Sequence, residues 1–316
     1  MNNMTNVGKI YDCILFMNEF DVVDLRFNIL DPVVDYFVVV EADRNMKGDK
    51  RELLFEKNKH RYEKFAHKII YQTIEPPSQF INLPIVNNPL TFKEKCINET
   101  FKQMLTTFLF NRHSEPNYGI LYYTREAMKI PLENCNDNDI IITSDCDEIP
   151  NPEILQRLNE FYHDNEFYSF TQTCYNYYLN VLRESHINNI AHRYEGSEPY
   201  TGIKSARWKG SKMSSFKMLK NYSLNEIRMQ PSSDIENGGW HFSFMGGAES
   251  IKQKLMAGCI DRNYDDIPKL VENIEKTLKN LSGITYNDDR LTKIEIDDSF
   301  PEYLLKNLDK YKHLIL

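Results

Sequence analysis

Short apolar, β-branched runs closed by polar clusters recur along the first half of the chain. Ile10 to Phe16 ends in Asn18, Glu19 and Asp21, Val33 to Val40 ends in Glu41 and Asp43, and Ile140 to Thr143 ends in Asp145, Asp147 and Glu148. Runs of this length suit buried strands and are too short for helices. Lys68 to Ile74 is a further strand. Between them the pattern predicts helices: one through Leu25, Phe27 and Leu30 closed by Pro32, and one from about Arg51 to Ala66. Two more cover Phe92 to Phe110 and Tyr118 to Glu133, the latter distorted in its last turn by Pro131. Alternation at this spacing predicts an α/β fold with a central, mainly parallel sheet flanked by helices. The strand endings at Phe16, Val40 and Thr143 then gather on one edge, where open α/β sheets bind ligands.

The stretch DIIITSDCDEIPNP, Asp139 to Pro152, organises the rest. It reads as strand, acidic turn, helix: Pro150 and Pro152 stop the strand, Asn151 caps the next helix, and Ile154, Leu155, Leu158 and Phe161 form its apolar stripe. Before it, the proline-rich stretch from Glu75 to Pro89 is a loop. After it the chain becomes richer in strands, at Phe167 to Leu179, Tyr200 to Trp208 and Trp240 to Phe244. Beyond Gly246 it returns to helix, first through Ile251, Leu255 and Met256. A longer stripe runs from Ile267 to Leu281, and Gly283 terminates it.

Composition narrows the function class. A chain of 316 residues with 41% apolar content can bury a sizeable core. Its formal charge of −8 argues against a general nucleic-acid binder, since phosphate-backbone affinity needs clustered Lys and Arg. The six cysteines include no CxxC pair, so neither a disulfide framework nor a thiolate zinc site is indicated. Nothing at the N-terminus reads as a secretory signal, and no apolar run of about 18 residues occurs. A soluble cytoplasmic protein with no integral membrane segment is the expectation. The 19 Tyr and 18 Phe serve a core as readily as a sugar-stacking surface.

Three carboxylates within four residues, Asp145, Asp147 and Glu148, at the end of a strand can hold a divalent cation and a phosphate-bearing substrate, or form an acidic surface turn. Far along the chain, His241 in GGWHFS can join carboxylates around Mn²⁺, or simply hydrogen-bond to backbone. Arg125, Arg183, Arg193, Lys204, Arg207 and Lys209 are the cations that could meet a diphosphate, and each is equally a surface residue.

The stretches YDCILFMNEFDVVDLRFNIL, VDYFVVVEA, REAMKI, DIIITSDCDEIPNPEIL, GWHFSF with GGAESIKQK, and PEYLLKNLDKY together resemble the family of β-1,4-mannosyl-glycoprotein β-1,4-N-acetylglucosaminyltransferases, glycosyltransferase family 17, and its bacterial and viral relatives. They occur in the family's order and span Tyr11 to about Tyr311. The resemblance implies a single GT-A type nucleotide-sugar transferase domain over 1–316, with a nucleotide-sugar half at 9–165 and an acceptor-side, metal-completing half at 166–316. It implies an inverting transferase using a UDP-sugar, UDP-GlcNAc in the first instance, and a glycan or glycoconjugate acceptor. It also implies a DxD motif in which Asp145 and Asp147 hold Mn²⁺ or Mg²⁺, with His241 as a further ligand and Cys146 as a non-ligand. Asn18, Glu19, Glu41 and Arg125 lie in the resembling segments and are expected on the nucleoside and diphosphate side. An inverting transfer also needs a base, for which Glu236 ranks first beside Asp234 and Glu249. The family's animal members are membrane-anchored Golgi proteins and this chain shows no anchor, so a polysaccharide or lipid-linked glycan is as credible an acceptor as an N-glycan. A nucleotide-sugar hydrolase, a nucleotidyltransferase and a catalytically silent carbohydrate-binding protein are the competing readings.

Overall fold

The computed structural model describes residues 7–76, 118–184, 194–200, 203–258, 267–283 and 290–316, with 89, 91, 94, 95, 97–100 and 102. Most of the expected helix from Phe92 to Phe110 and of the proline-rich loop, Arg193, and the side chain of Lys204 lie outside the described residues.

Among the described residues one sheet of 12 strands carries the fold. Its first four members are β1 (Ile10–Phe16), β2 (Tyr36–Ala42), β3 (Ile69–Ile74) and β4 (Ile140–Asp145). They run in the order β4-β1-β2-β3, all parallel. Three helices among them are α1 (Phe20–Leu30), α2 (Leu54–Asn58) and α3 (Tyr118–Glu126). Successive strand residues serve opposite faces, as a period of two requires. Ile14, Val39, Ile140 and Ile142 pack with Val23, Phe27 and Leu30 of α1. Cys13, Val38, Val40 and Ile141 pack with Ile120, Tyr123 and Met128 on the other side. Both faces are therefore covered, which explains why these strands read as continuous apolar runs.

The expectation of a mainly parallel sheet is corrected beyond β4. The later strands are β5 (Glu148–Pro150), β6 (Tyr168–Asn176), β7 (Val181–Arg183), β8 (Tyr194–Tyr200), β9 (Ile203–Trp208), β10 (Lys212–Ser215), β11 (Ser233–Ser243) and β12 (Leu291–Lys293). Among the described pairings of these strands only β11 with β6 is parallel. β10 enters between β4 and β6 in the opposite direction, and the pairs β6 with β7, β6 with β9, β8 with β9, β11 with β5 and β12 with β7 are antiparallel. The sheet is mixed. Parallel neighbours need long crossovers, and this part of the chain returns through short loops such as Tyr177 to Asn180 between β6 and β7.

Local readings shift for identifiable reasons. The helix expected from Arg51 to Ala66 is α2 followed by a 3₁₀ stretch, Lys59–Phe65, with a kink at Tyr62. Pro131 has the predicted effect, since the helix passes into a 3₁₀ segment, Ala127–Leu132. β4 already stops at Asp145, ahead of Pro150, which ends the short β5 and pairs with Gly239. Asn151 accepts from the amide of Glu153 and caps α4 (Pro152–Gln156) as read. The last long stripe breaks into two helices, and Leu281 at φ 47°, rather than Gly283, forms the left-handed cap.

Gly239 has φ +128°, and a Cβ there would sit 2.1 Å from the carbonyl oxygen of Ile149. Gly239→Ala is expected to cost about 1–3 kcal/mol of stability, read as a lower urea midpoint. An unchanged midpoint would show that β5 and β11 do not need this close approach.

Candidate functional site

The parallel block sets the site's floor. Register places Phe16 opposite Glu41 and Leu15 opposite Asp145, so the three strand endings share one edge as expected. What fixes the acidic turn there is Arg26 of α1, fully buried and paired with the equally buried Asp12 through Nε at 2.7 Å and Nη2 at 2.6 Å. The same guanidinium donates to the Ser144 hydroxyl at 2.7 Å and to the carbonyls of Asp145, Cys146 and Glu148 at 3.3, 3.3 and 2.8 Å. A planar fork with five donors is suited to such a task. It ties three turn carbonyls to two strands and a helix.

The turn's side chains meet three cations. Arg228, on α5 (Leu224–Met229), donates to Asp145 Oδ2 at 2.9 Å and to both oxygens of Glu148 at 2.7 and 3.2 Å. Arg125 lies 3.6 Å from Asp145 Oδ1. Lys254, on α6 (Gly247–Met256), donates to Asp147 Oδ2 at 2.9 Å. Desolvation alone would raise the Asp145 carboxyl, but Arg228 and then Arg125 outweigh it and hold the group well below the usual carboxylate range. Burial would likewise lower Lys254, and Asp147 and Glu19 overcome it, so the ammonium stays charged.

Glu148 is the structural carboxylate of the three. It is buried, accepts from Trp208 Nε1 and Arg228, and takes the Asp145 amide at 3.0 Å. Gly210 makes room, because a Cβ there would fall 2.3 Å from Glu148 Oε1 and 2.1 Å from Trp208 Nε1. The Trp208 ring in turn stacks on His241 at 5.4 Å. Residue 241 pairs with Glu148 across β5 and β11, and its Nε2 faces Asp147 Oδ1 at 3.7 Å. Burial pushes the imidazole pKa down against the opposing pull of Asp147 and Glu148, which favours the neutral ring.

A neutral imidazole and ionised carboxylates are the forms that bind cations. Two atoms that share one ion at about 2.1 Å each lie roughly 3–4 Å apart, and Asp147 Oδ1 and His241 Nε2 meet that spacing at 3.7 Å. Asp145 and Asp147 each commit one oxygen to a cation at 2.9 Å and leave the other at 3.6–3.7 Å from its neighbour. Of the three expected ligands, Asp147 and His241 are thus spaced to share an ion. Among the described residues no three His, Cys, Asp or Glu side chains already converge as a metal cluster. In their place the cations hold the carboxylates.

A small cleft beside Asp147 is lined by Asn18, Glu19, Phe242, Ser250 and Lys254. Asn18 and Glu19 line this cleft, and Arg125 lies beside Asp145. Glu41 does neither, because its buried carboxylate accepts from Arg51, the Leu54 and Phe55 amides and the Tyr71 hydroxyl. Through Arg51, which also donates to the Met17 carbonyl, it braces the loop that carries Asn18 and Glu19. Asp234, Glu236 and Glu249 are not drawn to the turn. Asp234 pairs with Lys209 at 2.7 Å, Glu236 with Arg207 at 3.7 Å, and the exposed Glu249 accepts from Gln253 at 3.3 Å.

Sequence reasoning missed Arg26, Arg228 and Lys254 as members of the site. Lys254 closes the GGAESIKQK segment and Arg26 interrupts an otherwise apolar helix stripe, so each left a trace. Arg228 left none.

Comparison with known proteins adds a family likeness. The model for glycosyltransferase family 17 matches residues 2–89. A rat protein named β-1,4-mannosyl-glycoprotein 4-β-N-acetylglucosaminyltransferase is 25% identical over 97% of this chain and 54% of its own length. The human protein of that name is 24% identical over 97% of this chain and 55% of its own. The chain spans about half the length of the relatives it matches.

Removing Arg26 leaves Asp12 buried and uncompensated, and breaking one side of such a pair costs about 3–5 kcal/mol. Arg26→Met is expected to lose that much in urea unfolding, and the double variant with Asp12→Asn should recover part of it. Wild-type stability in Arg26→Met would refute the anchoring role.

Proposed function

We propose that this relative of glycosyltransferase family 17 has a GT-A type fold and transfers N-acetylglucosamine from a UDP-sugar to a glycan acceptor with inversion. The observation that carries the reading is the acidic turn: two carboxylates at the end of a parallel strand, a neutral imidazole facing one of them, and three cations paired with them. The family similarity supplies the reaction class.

In this reading Asp145, Asp147 and His241 hold a divalent ion, Mn²⁺ or less effectively Mg²⁺. When bound, the ion supplies Lewis-acid stabilisation of the charge that develops on departing UDP. Arg125 and Lys254 face the diphosphate, and Asn18 contributes an amide on the nucleoside side. Trp208 and Glu148 set the His241 ring and Arg228 in place.

The proton acceptor must lie within hydrogen-bond reach of the attacking hydroxyl. Of the carboxylates outside the turn, Glu19 shares the Asp147 cleft, and both its described hydrogen bonds, from the Met17 and Asn18 amides, fall on Oε2. We therefore place Glu19 ahead of Glu236, whose exposed carboxylate lies on β11 before Gly238 and Gly239.

Two experiments test this. Incubation with UDP-GlcNAc, Mn²⁺ and an acceptor panel should give glycosylated product in wild type and none in Asp147→Ala, which should keep its fold by circular dichroism. Free GlcNAc as the main product would instead make the protein a hydrolase, and full activity of Asp147→Ala with chelator present would reject the metal assignment. In the second, Glu19→Gln should lower kcat by about 10²–10⁴ with UDP affinity little changed, while Glu236→Gln stays within a few-fold of wild type. The reverse result returns the base role to Glu236.

A further inference from the structure

The three cations at the acidic turn are not held alike. Arg228 makes four hydrogen bonds, to Asp145, to both oxygens of Glu148 and to the Gly210 carbonyl, and it lies over the Trp208 ring at 5.6 Å. It cannot leave without undoing the turn. Lys254 makes a single hydrogen bond, to Asp147 Oδ2, beside the Phe244 ring at 5.1 Å. Its helix is fixed because Ile251 and Leu255 are fully buried, but the ammonium rides on a flexible four-carbon stem at the edge of the cleft.

Charge balance gives that looseness a purpose. Asp145, Asp147 and Glu148 are matched by Arg125, Arg228 and Lys254 in the ion pairs of the turn. Asp147 is 5% exposed, so its carboxylate needs a counter-charge whenever no ligand is present. A divalent ion alone at Asp147 Oδ1 adds two positive charges beside the ammonium that holds Oδ2 of the same carboxylate. A diphosphate arriving with the ion restores the balance and offers that ammonium a new partner.

Building on the reading of the site given above, we propose that Lys254 is a displaceable counter-ion, neutralising Asp147 in the free protein and passing to the diphosphate of the donor when a divalent cation takes that carboxylate. The exchange makes cation and nucleotide binding mutually dependent. Arg228 stays on the turn throughout, and Lys254 alone changes partner.

The test measures Mn²⁺ binding by the electron paramagnetic resonance of free ion, and UDP binding by calorimetry, on wild type, Lys254→Met, Lys254→Gln and Lys254→Arg. Loss of the ammonium removes the ion's competitor, so Lys254→Met should bind Mn²⁺ alone several-fold more tightly than wild type. The same variant should bind UDP roughly tenfold more weakly at saturating Mn²⁺, the loss of one charge-assisted hydrogen bond. Lys254→Gln, which keeps a neutral donor for Asp147, should shift in the same two directions and decides the matter should Lys254→Met misfold. Lys254→Arg should resemble wild type in both. A merely structural lysine would weaken both affinities or move neither, and either pattern overturns the proposal. Wild type that binds both ligands without opposite shifts in the variants sinks this inference alone. Wild type that binds neither sinks the reading of the site with it.

Discussion

The fully buried Arg26–Asp12 pair is the constraint on which the candidate site depends. Burying two charges is repaid only when the geometry is good and the remaining donors find acceptors. Here the spare donors of Arg26 go to Ser144 and to three carbonyls of the turn at Asp145 to Glu148. One charged group thereby couples β1, β4, α1 and the turn, and the turn's side chains are aimed away from Arg26 toward a second, outer set of cations. The inner pair gives shape and the outer set gives chemistry.

The outer set differs from the inner one in being partly replaceable. Glu148 and Arg228 belong to the frame, tied to Trp208 and through it to the His241 ring. Asp147 and Lys254 are less committed: one hydrogen bond joins them, and Asp147 Oδ1 stands 3.7 Å from the His241 ring. Function at such a site needs groups held well enough to be placed and loosely enough to exchange partners. The division between Arg228 and Lys254 follows from the difference between a planar fork and a point charge on a flexible stem.

Much of this was legible in the sequence where chemistry is local. The runs Ile10 to Phe16, Val33 to Val40 and Ile140 to Thr143 announced parallel strands whose polar endings share one edge. Asn151 and Pro152 marked a helix start, and Pro131 marked a helix end. Strand direction beyond β4 was not legible, because apolar alternation is the same for parallel and antiparallel pairing. Glu41 illustrates another limit: it sits at a strand ending like Asp145, yet the amides of Leu54 and Phe55 and the Tyr71 hydroxyl claim it. Sequence position gave Glu41 and Asp145 the same reading, and only tertiary contacts separate brace from site. Arg228 was hidden for a related reason, being a single arginine in a six-residue helix that acquires meaning from partners about 80 residues away.

On this reading the acidic turn binds a nucleoside diphosphate and a divalent cation as one event. Calorimetric titration of UDP into wild-type protein, with and without Mn²⁺ and beside ADP and GDP as controls, tests it most directly. The account predicts UDP binding that strengthens markedly when Mn²⁺ is present and exceeds that of ADP and GDP. UDP affinity unaffected by Mn²⁺, or equal affinity for all three nucleotides, would contradict it.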